Sequence, residues 1–230
     1  MDSLKAVAFD LDGTLYPNYR LYRRLFSQLM FHPVFYAAFM KVRSTLHAGK
    51  EETVPPDTSF YDRQASLFAA CLREDKEKTR QKLERLVYGS WEKLFSGIKL
   101  FPFVKETLAA FRNAGLRLAL LSDFPPVQKL VLLGLDSFFD AVISTEETGA
   151  LKPSGIPFAA LIRSLELNPE EILYVGNSLL YDVGGSKSAG LKAALIRRSL
   201  LSTGHIPKNS PVKADFVFRD YRQLQKYVLG

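Results

Sequence analysis

Cysteine is almost absent from this sequence, since Cys71 is the single one among 230 residues. One cysteine excludes an intramolecular disulfide framework and any zinc site built from several cysteines. It is also in keeping with a reducing compartment, so we expect a cytoplasmic protein. Cys71 itself belongs to the apolar run LFAACL, and we expect it to lie in the core.

Long hydrophobic runs are missing as well. The longest apolar stretch, residues 25–40, is interrupted by Ser27, Gln28, His32 and Pro33. It is shorter than the ~18 to 20 apolar residues that a membrane-spanning helix needs, and no secretory signal is recognisable before Asp10. We therefore expect no transmembrane segment. Basic residues on both sides of the stretch leave a role at a membrane surface open.

Several common catalytic motifs are also lacking. His32, His47 and His205 have neither the HExxH spacing nor an i,i+4 pair, and no GxSxG or GK[ST] segment occurs. These absences argue against a zinc peptidase, a nucleophile-elbow hydrolase and a P-loop protein. We expect the three histidines to be surface or packing residues.

The composition is that of a globular protein, with 47% hydrophobic and 24% charged residues. The net charge of +7 is uneven, because residues 16–100 hold 15 basic and 9 acidic residues. This excess indicates either solvated helix faces or a positive surface near an anionic substrate. Nucleic acid binding is disfavoured, because no zinc-finger spacing, RNP-type motif or Lys/Arg run is present.

Hydrophobic spacing divides the chain into two kinds of sequence. Residues 16–100 have helical spacing and almost no strand character, and a polar loop with prolines occupies residues 50–59. Elsewhere short apolar strands, which we predict at residues 7–9, 116–121, 141–143, 172–175, 193–196 and 215–218, alternate with helices. This pattern predicts an α/β core (residues 1–15 and 101–230) with a parallel sheet covered on both faces, and an all-helical insertion at residues 16–100.

Polar side chains follow four of the predicted strands. They are Asp10, Asp12 and Thr14 after the first strand, Ser122 and Asp123 after the second, Lys152 after the third, and Asn177 and Asp182 after the fourth. Because ligands bind at the carboxyl ends of parallel strands, we expect these groups to meet at one sheet edge. Two close carboxylates favour a hard cation such as Mg²⁺, which lets a carboxylate nucleophile approach a phosphate. Lys152 and Ser122 would bind phosphoryl oxygens.

With DLDGTL at 10–15, Ser122, Lys152 before a proline and NSLLYD at 177–182, the chain resembles the haloacid dehalogenase-like hydrolase superfamily. It is similar to the branch with a helical cap inserted after the first strand. The resemblance implies a Rossmann-like core, a cap at residues 16–100, and a Mg²⁺-dependent phosphatase, a phosphoric monoester hydrolase that acts on a small phosphorylated metabolite. In that family the reaction passes through an aspartyl-phosphate.

The resemblance also implies a role for each site residue. Asp10 would be the nucleophile, and Asp12 the general acid and then the general base. The phosphoryl group would be held by Ser122, Lys152, Asp123 and the backbone N–H groups around Leu11 and Asp12. The Mg²⁺ ligands would be Asp10, the Asp12 carbonyl, Asn177 and Asp182.

One position departs from the family pattern: Asn177 stands where related phosphatases usually have an aspartate. Either Asp182 carries the ligand role, or the metal site is weakened or repurposed. A phosphoryl transferase or mutase, a haloacid dehalogenase and a weakly active phosphate- or partner-binding protein remain as alternatives. Asp12 argues against the dehalogenase, because those relatives lack the second acid. The sequence indicates neither the substrate nor the oligomeric state.

Within the predicted cap, the aromatic residues are expected to form its core rather than a substrate platform; they are Phe31, Phe35, Tyr36, Phe39 and Trp91. Arg20, Arg23 and Arg24 follow the first motif closely, and they either contact substrate or line a solvated helix face. Asp123 is expected either to bind phosphate or to cap the turn before Pro125 and Pro126.

Overall fold

The computed structural model describes residues 4–49, 58–90, 94–197 and 212–230. Their strands form one six-stranded parallel sheet in the order β3-β2-β1-β4-β5-β6. The strands are β1 Ala6–Phe9, β2 Arg117–Ser122, β3 Ala141–Ser144, β4 Ile172–Gly176, β5 Lys192–Ile196 and β6 Phe216–Phe218. The strand order reverses at β1, whose two neighbours are β2 and β4, and such a reversal opens a ligand crevice at the carboxyl ends of the strands.

Alternate residues of each central strand pack on opposite faces of the sheet. Val7 and Phe9 belong to one hydrophobic cluster, and Ala6 and Ala8 belong to another. Because side chains alternate along a strand, both faces of β1 are covered. The prediction of a parallel sheet buried on both sides is therefore confirmed.

Four helices follow β1 in the described residues up to Ser90. They are α1 Asn18–Phe31, α2 Pro33–Ala48, α3 Phe60–Leu72 and α4 Lys76–Leu86, followed by a 3₁₀ turn at Tyr88–Ser90. Pro33 starts α2, Gly49 ends it in the left-handed region, and Ser59 and Asp75 cap the first turns of α3 and α4. We call residues 18–49 and 58–90 the helical insert.

The remaining helices cover the sheet. They are α5 Val104–Asn113, α6 Val127–Leu133, α7 Gly155–Leu165, α8 Gly185–Ser188 and α9 Tyr221–Leu229, with a π-helical turn at Leu179–Gly184 before α8. Helices α5, α6 and α9 contribute to the same cluster as Phe9, and so does the helical insert, whereas α7 packs on the opposite face. None of the helices described has the length and apolarity of a membrane span.

Two expectations for the insert were wrong. Cys71 is exposed on α3, because the core-facing residues of that helix recur at Ala65, Phe68, Ala69 and Leu72, and Cys71 falls outside that spacing. Phe31 is 81% exposed at the end of α1, although Phe35 is buried as expected. Trp91 lies outside the described residues.

Candidate active site

The loop after β1 turns sharply at the carboxyl edge of the sheet. Asp10 donates its N–H to the Val175 carbonyl (2.9 Å), and the chain then folds back so that the Leu15 N–H reaches the Leu11 carbonyl (3.0 Å). Gly13 has a φ of 87°, and a Cβ there would come 1.9 Å from Asn177 Nδ2. A glycine is required at this position by both backbone conformation and space.

Asp10 lies buried at the end of β1. Its Oδ2 accepts a hydrogen bond from Thr14 Oγ1 (2.7 Å), and its Oδ1 accepts one from Lys152 Nζ (2.8 Å). Burial raises the pKa of Asp10 to about 7; Lys152 opposes this rise, whereas Asp182 and Asp12 add to it. The Asp10 carboxyl thus holds a proton more tightly than a solvated carboxyl does, and perturbed pKa values of this kind cluster at functional sites.

Lys152 lies between two carboxylates. Its Nζ donates to Asp182 Oδ1 (2.7 Å) as well as to Asp10, and it also reaches the Tyr174 hydroxyl (3.3 Å). Burial disfavours the charged form of Lys152, but Asp10 and Asp182 outweigh burial and hold its pKa well above the usual range. Lys152 is therefore a permanent, rigidly held cation beside Asp10.

Asp182 anchors the loop that follows β4. Its Oδ2 accepts the N–H groups of Asn177 (3.0 Å) and Ser178 (2.9 Å). A Cβ on Gly176 would come 2.3 Å from the Asp182 side chain, so a glycine is needed there. With both oxygens engaged, Asp182 orients Lys152 and the Asn177 backbone.

Asn177 lies directly against the first motif. Its Nδ2 donates to the Asp12 carbonyl (3.1 Å), which also accepts a longer hydrogen bond from Asn18 Nδ2 (3.4 Å). The Asp12 carbonyl and the Asn177 amide are thus neighbours, as the sequence predicts for a shared cation site. A half-turn of the amide would present Oδ1 in place of the nitrogen.

The donor atoms at this edge suit a hard cation. Oxygen is offered by the Asp10 carboxylate, the Asp12 carbonyl, the Asn177 amide and the Asp182 carboxylate, with no histidine or sulfur among them. The described part of the chain has no group of three or more His, Cys, Asp or Glu side chains arranged to hold a metal. The four oxygen donors nevertheless fit Mg²⁺. Only two of them, Asp10 and Asp182, are charged.

A lysine that the sequence analysis missed holds the Asp12 side chain. Lys129 Nζ donates to Asp12 Oδ2 (2.8 Å) and Oδ1 (3.0 Å), and the Tyr16 hydroxyl also donates to Oδ1. Lys129 is completely buried, with its ammonium near the rings of Phe95 (5.4 Å) and Phe124 (5.0 Å). Lys129 lies on the buried side of α6 with Leu130 and Leu133, and its spacing from these leucines indicates burial but not its partner.

Ser122 ends β2, the strand that pairs with β1, and Asp123 follows it. Ser122 is fully buried, and its Oγ accepts the Phe124 N–H (3.4 Å). Asp123 accepts hydrogen bonds from Thr145 Oγ1 (2.9 Å) and the Lys152 N–H (3.4 Å). The expectation that Asp123 caps the next turn was wrong, because α6 begins without a side-chain cap and the carboxylate joins the loops after β2 and β3 instead.

The helical insert contacts these loops through Arg43, which the sequence analysis also missed. Arg43 on α2 is buried, donates to the Asp123 carbonyl (3.0 Å), pairs with the buried Glu146 and lies 4.3 Å from the ring centroid of Phe124. Burial raises the pKa of Glu146, although Arg43 and Tyr88 oppose the rise. The insert and the loop after β3 thus share a buried ion pair.

His47 also connects α2 to the loops of the site. Its Nδ1 lies 2.6 Å from the Lys152 carbonyl, and its ring stacks on Tyr181 at 4.4 Å. Burial lowers the pKa of His47, opposed mainly by Asp123. The packing role expected of this histidine is confirmed, and its position beside the loop of Lys152 is new.

The three early arginines lie on α1, within the insert. Arg24 Nη1 donates to the Leu94 carbonyl (3.0 Å), and Arg20 Nε lies 3.3 Å from the Tyr19 hydroxyl. Arg23 is exposed. These contacts favour the solvated helix face over the substrate-binding interpretation.

Comparison with known proteins identifies a family whose model matches most of this chain. The family model described as haloacid dehalogenase-like hydrolase matches residues 4–190. A glyceraldehyde 3-phosphate phosphatase of Methanopyrus kandleri is 30% identical, covering 96% of this chain and 95% of that protein. The crystal structure of a HAD phosphatase from Thermococcus onnurineus is 28% identical, with a TM-score of 0.68 and 99% coverage of both chains.

An L-2-haloacid dehalogenase from Xanthobacter autotrophicus, 22% identical with a TM-score of 0.65 and 99% coverage of both chains, shares the fold. The family match spans both the site loops and the helical insert, and the M. kandleri relative is similar along nearly its whole length. The chain therefore belongs to the haloacid dehalogenase-like hydrolase family.

Proposed function

We propose that this enzyme is a Mg²⁺-dependent phosphatase that hydrolyses a small phosphorylated compound through an aspartyl-phosphate on Asp10. The observation that carries the proposal is the buried Asp10 carboxylate, bonded to Lys152 and followed two residues later by Asp12. The names of similar proteins support it, since they include glyceraldehyde 3-phosphate phosphatase, the pyrophosphatase PpaX and phosphoglycolate phosphatase. A small phosphorylated substrate is common to these names.

In the first step, a carboxylate oxygen of Asp10 attacks phosphorus and the bond from phosphorus to the leaving oxygen breaks. Asp12 donates a proton to that oxygen, so the product leaves as an alcohol. Lys152 and Ser122 stabilise the negative charge on the phosphoryl oxygens. Thr14 and Lys152 hold the Asp10 carboxylate in one orientation through their hydrogen bonds.

In the second step, Asp12 takes a proton from a water molecule, whose oxygen attacks phosphorus. The bond from phosphorus to Asp10 then breaks, and inorganic phosphate and the Asp10 carboxylate are released. Lys129 and the Tyr16 hydroxyl keep the Asp12 carboxylate in one orientation for both proton transfers. The presence of Asp12 as a second acid favours a phosphatase over a dehalogenase, because a halide leaving group needs no proton.

Mg²⁺ would be held by the Asp10 carboxylate, the Asp12 carbonyl and the Asn177 amide oxygen, and by Asp182 directly or through the loop that it anchors. When bound, it neutralises charge between the nucleophile and the phosphoryl group. Because Asn177 is neutral, we expect a higher Mg²⁺ requirement than an aspartate would give.

The proposal is tested by screening phosphorylated metabolites with Mg²⁺ or with EDTA. Asp10→Asn should lower turnover by ~10³-fold or more, because an amide cannot attack phosphorus. The matched control is Asp136→Asn at an exposed aspartate, which should be as active as the unmodified enzyme. Mass spectrometry of protein quenched during turnover should find phosphate on Asp10. Full turnover by a folded Asp10→Asn protein would overturn the assignment.

A further inference from the structure

One side of helix α1 exposes large apolar side chains to solvent. We call this set the α1 face: Tyr19 (57% exposed), Tyr22 (62%), Phe26 (61%), Leu29 (44%) and Met30 (66%). Single exposed apolar residues are ordinary on protein surfaces, but a contiguous patch of them marks an interaction site. Phe31 and Val34, at 81% and 71% exposed, lie at the corner between α1 and α2.

The residues of the α1 face follow helical spacing. At 3.6 residues per turn they fall within an arc of roughly 100° along the whole helix. Leu21, in contrast, is buried. Helix α1 is thus apolar on two sides, one of which packs inward while the other faces solvent.

The charged residues of the chain segment that contains the α1 face have one sign. No acidic residue occurs between Asp12 and Glu51, whereas this interval contains Arg20, Arg23, Arg24 and Lys41. Helix α4 shows the ordinary alternative, because acidic residues there alternate with basic ones. At roughly 100° per residue, Arg23 follows directly on the edge of the apolar arc, with Arg20 beyond it.

We propose that the α1 face docks on an anionic lipid surface. A helix with an aromatic and aliphatic side bordered by arginines lies in the plane of a membrane interface, with its apolar side chains among the lipids and its basic groups at the headgroups. The charge of the interval argues against a second copy of this chain, since a symmetric contact would bring the two basic clusters together. The phosphates of a nucleic acid would bind the arginine side chains, but they would leave Phe26, Leu29 and Met30 without an apolar partner.

This docking would bring the catalytic edge of the sheet close to the lipid surface. Helix α1 starts at Asn18, whose side chain reaches the Asp12 carbonyl. The inference does not rest on the phosphatase proposal, because it concerns binding and is measured without turnover.

The experiment is vesicle flotation with the full chain. The probes are vesicles of phosphatidylcholine alone and vesicles with roughly one-third phosphatidylglycerol, at ~50 mM and ~500 mM NaCl. We expect binding to the anionic vesicles at low salt and a large decrease at high salt. Arg20→Glu/Arg23→Glu should weaken binding by ~25-fold or more, at roughly fivefold for each basic charge removed. Phe26→Ser/Met30→Ser should weaken it by ~10-fold or more.

Matched controls distinguish a loss of the α1 face from a general loss of exposed apolar area or positive charge. Val131→Ser/Ile156→Ser changes two side chains that are similarly exposed on other helices (59% and 54%), and Lys78→Glu/Arg85→Glu changes two exposed charges on α4. Both control proteins should bind like the unmodified chain, and all variants should keep its circular dichroism and thermal midpoint.

Three results would overturn the inference. The first is a failure of the unmodified chain to float with anionic vesicles at low salt. The second is equal binding by the face variants and the controls. The third is a lack of vesicle binding together with another interaction that the face variants abolish. If that interaction is a dimer seen by light scattering, the face belongs to a second copy of the chain. If it is binding to a DNA duplex, the face belongs to nucleic acid.

Discussion

Replacing Arg43 with methionine should destabilise the protein by about 3–5 kcal/mol, because the change leaves a buried carboxylate without its charge partner. Glu146 is 1% exposed, and one of its oxygens accepts no hydrogen bond from the described residues. Its other oxygen would retain the Tyr88 hydroxyl (3.2 Å). The Asp123 carbonyl would also lose its hydrogen bond from Arg43.

The double variant Arg43→Met/Glu146→Gln separates charge from packing. Glutamine is neutral, so burying it does not leave an unpaired charge, and the remaining loss should be about 1–2 kcal/mol from the Asp123 hydrogen bond and the contact with Phe124. Arg80→Met is the matched control, because Arg80 pairs with Asp62 on the surface of the insert, where such pairs contribute about 0–1 kcal/mol.

The loss in Arg43→Met should also depend on pH. Burial already holds the pKa of Glu146 above its usual value, and removing Arg43 raises it further. A carboxyl whose pKa is higher in the folded state binds protons there more tightly, so the stability falls as pH rises through this range. The loss should therefore be smaller at ~pH 5 than at ~pH 8.

Urea denaturation of the four proteins at both pH values measures these differences. Equal destabilisation of the single and double variants, or a loss that does not change with pH, would refute the view that an unpaired Glu146 charge causes the effect.

Three further predictions concern the catalytic groups. Asp12→Asn should lower kcat/KM by ~10² to 10⁴-fold for alkyl phosphates and by less for an activated aryl phosphate, whose leaving group needs no proton; equal losses would contradict the acid role. Lys129→Met should lower kcat by ~10-fold or more while KM changes little, and Lys129→Arg should recover part of the loss; steady-state kinetics would contradict an orienting role if KM alone responded. Asn177→Asp should lower the Mg²⁺ concentration for half-maximal activity, because a charged oxygen ligand replaces a neutral one; an unchanged Mg²⁺ titration would place Asn177 away from the metal.

The strand pattern and the first motif could be predicted because both depend on local spacing. Short apolar runs bounded by polar turns indicate buried strands, and parallel strands bring their carboxyl ends to one edge. Asp10, Lys152 and Asp182 were accordingly expected together, and their hydrogen bonds confirm that they meet. Their proposed roles, and the Mg²⁺ ligands, remain predictions.

Burial within a helix was predicted less well. The run around Cys71 is apolar at every position, so all sides of the helix are apolar there. Which side faces inward therefore depends on the neighbouring elements. The exposure of Phe31 and of the α1 face has the same origin, because a helix with two apolar sides can bury one and leave the other to solvent.

The sequence by itself determined the sheet, the helical insertion and the order of the polar residues at the strand ends, since these follow from periodicity and chain direction. Only the tertiary structure decided that Lys129 would hold Asp12 across 117 residues and that Arg43 would pair with Glu146 across 103. A buried charge is stable only beside a partner, and the partner is chosen by the packing of distant elements. Residues adjacent in space but far apart in the chain leave no local spacing from which such a pair could be read.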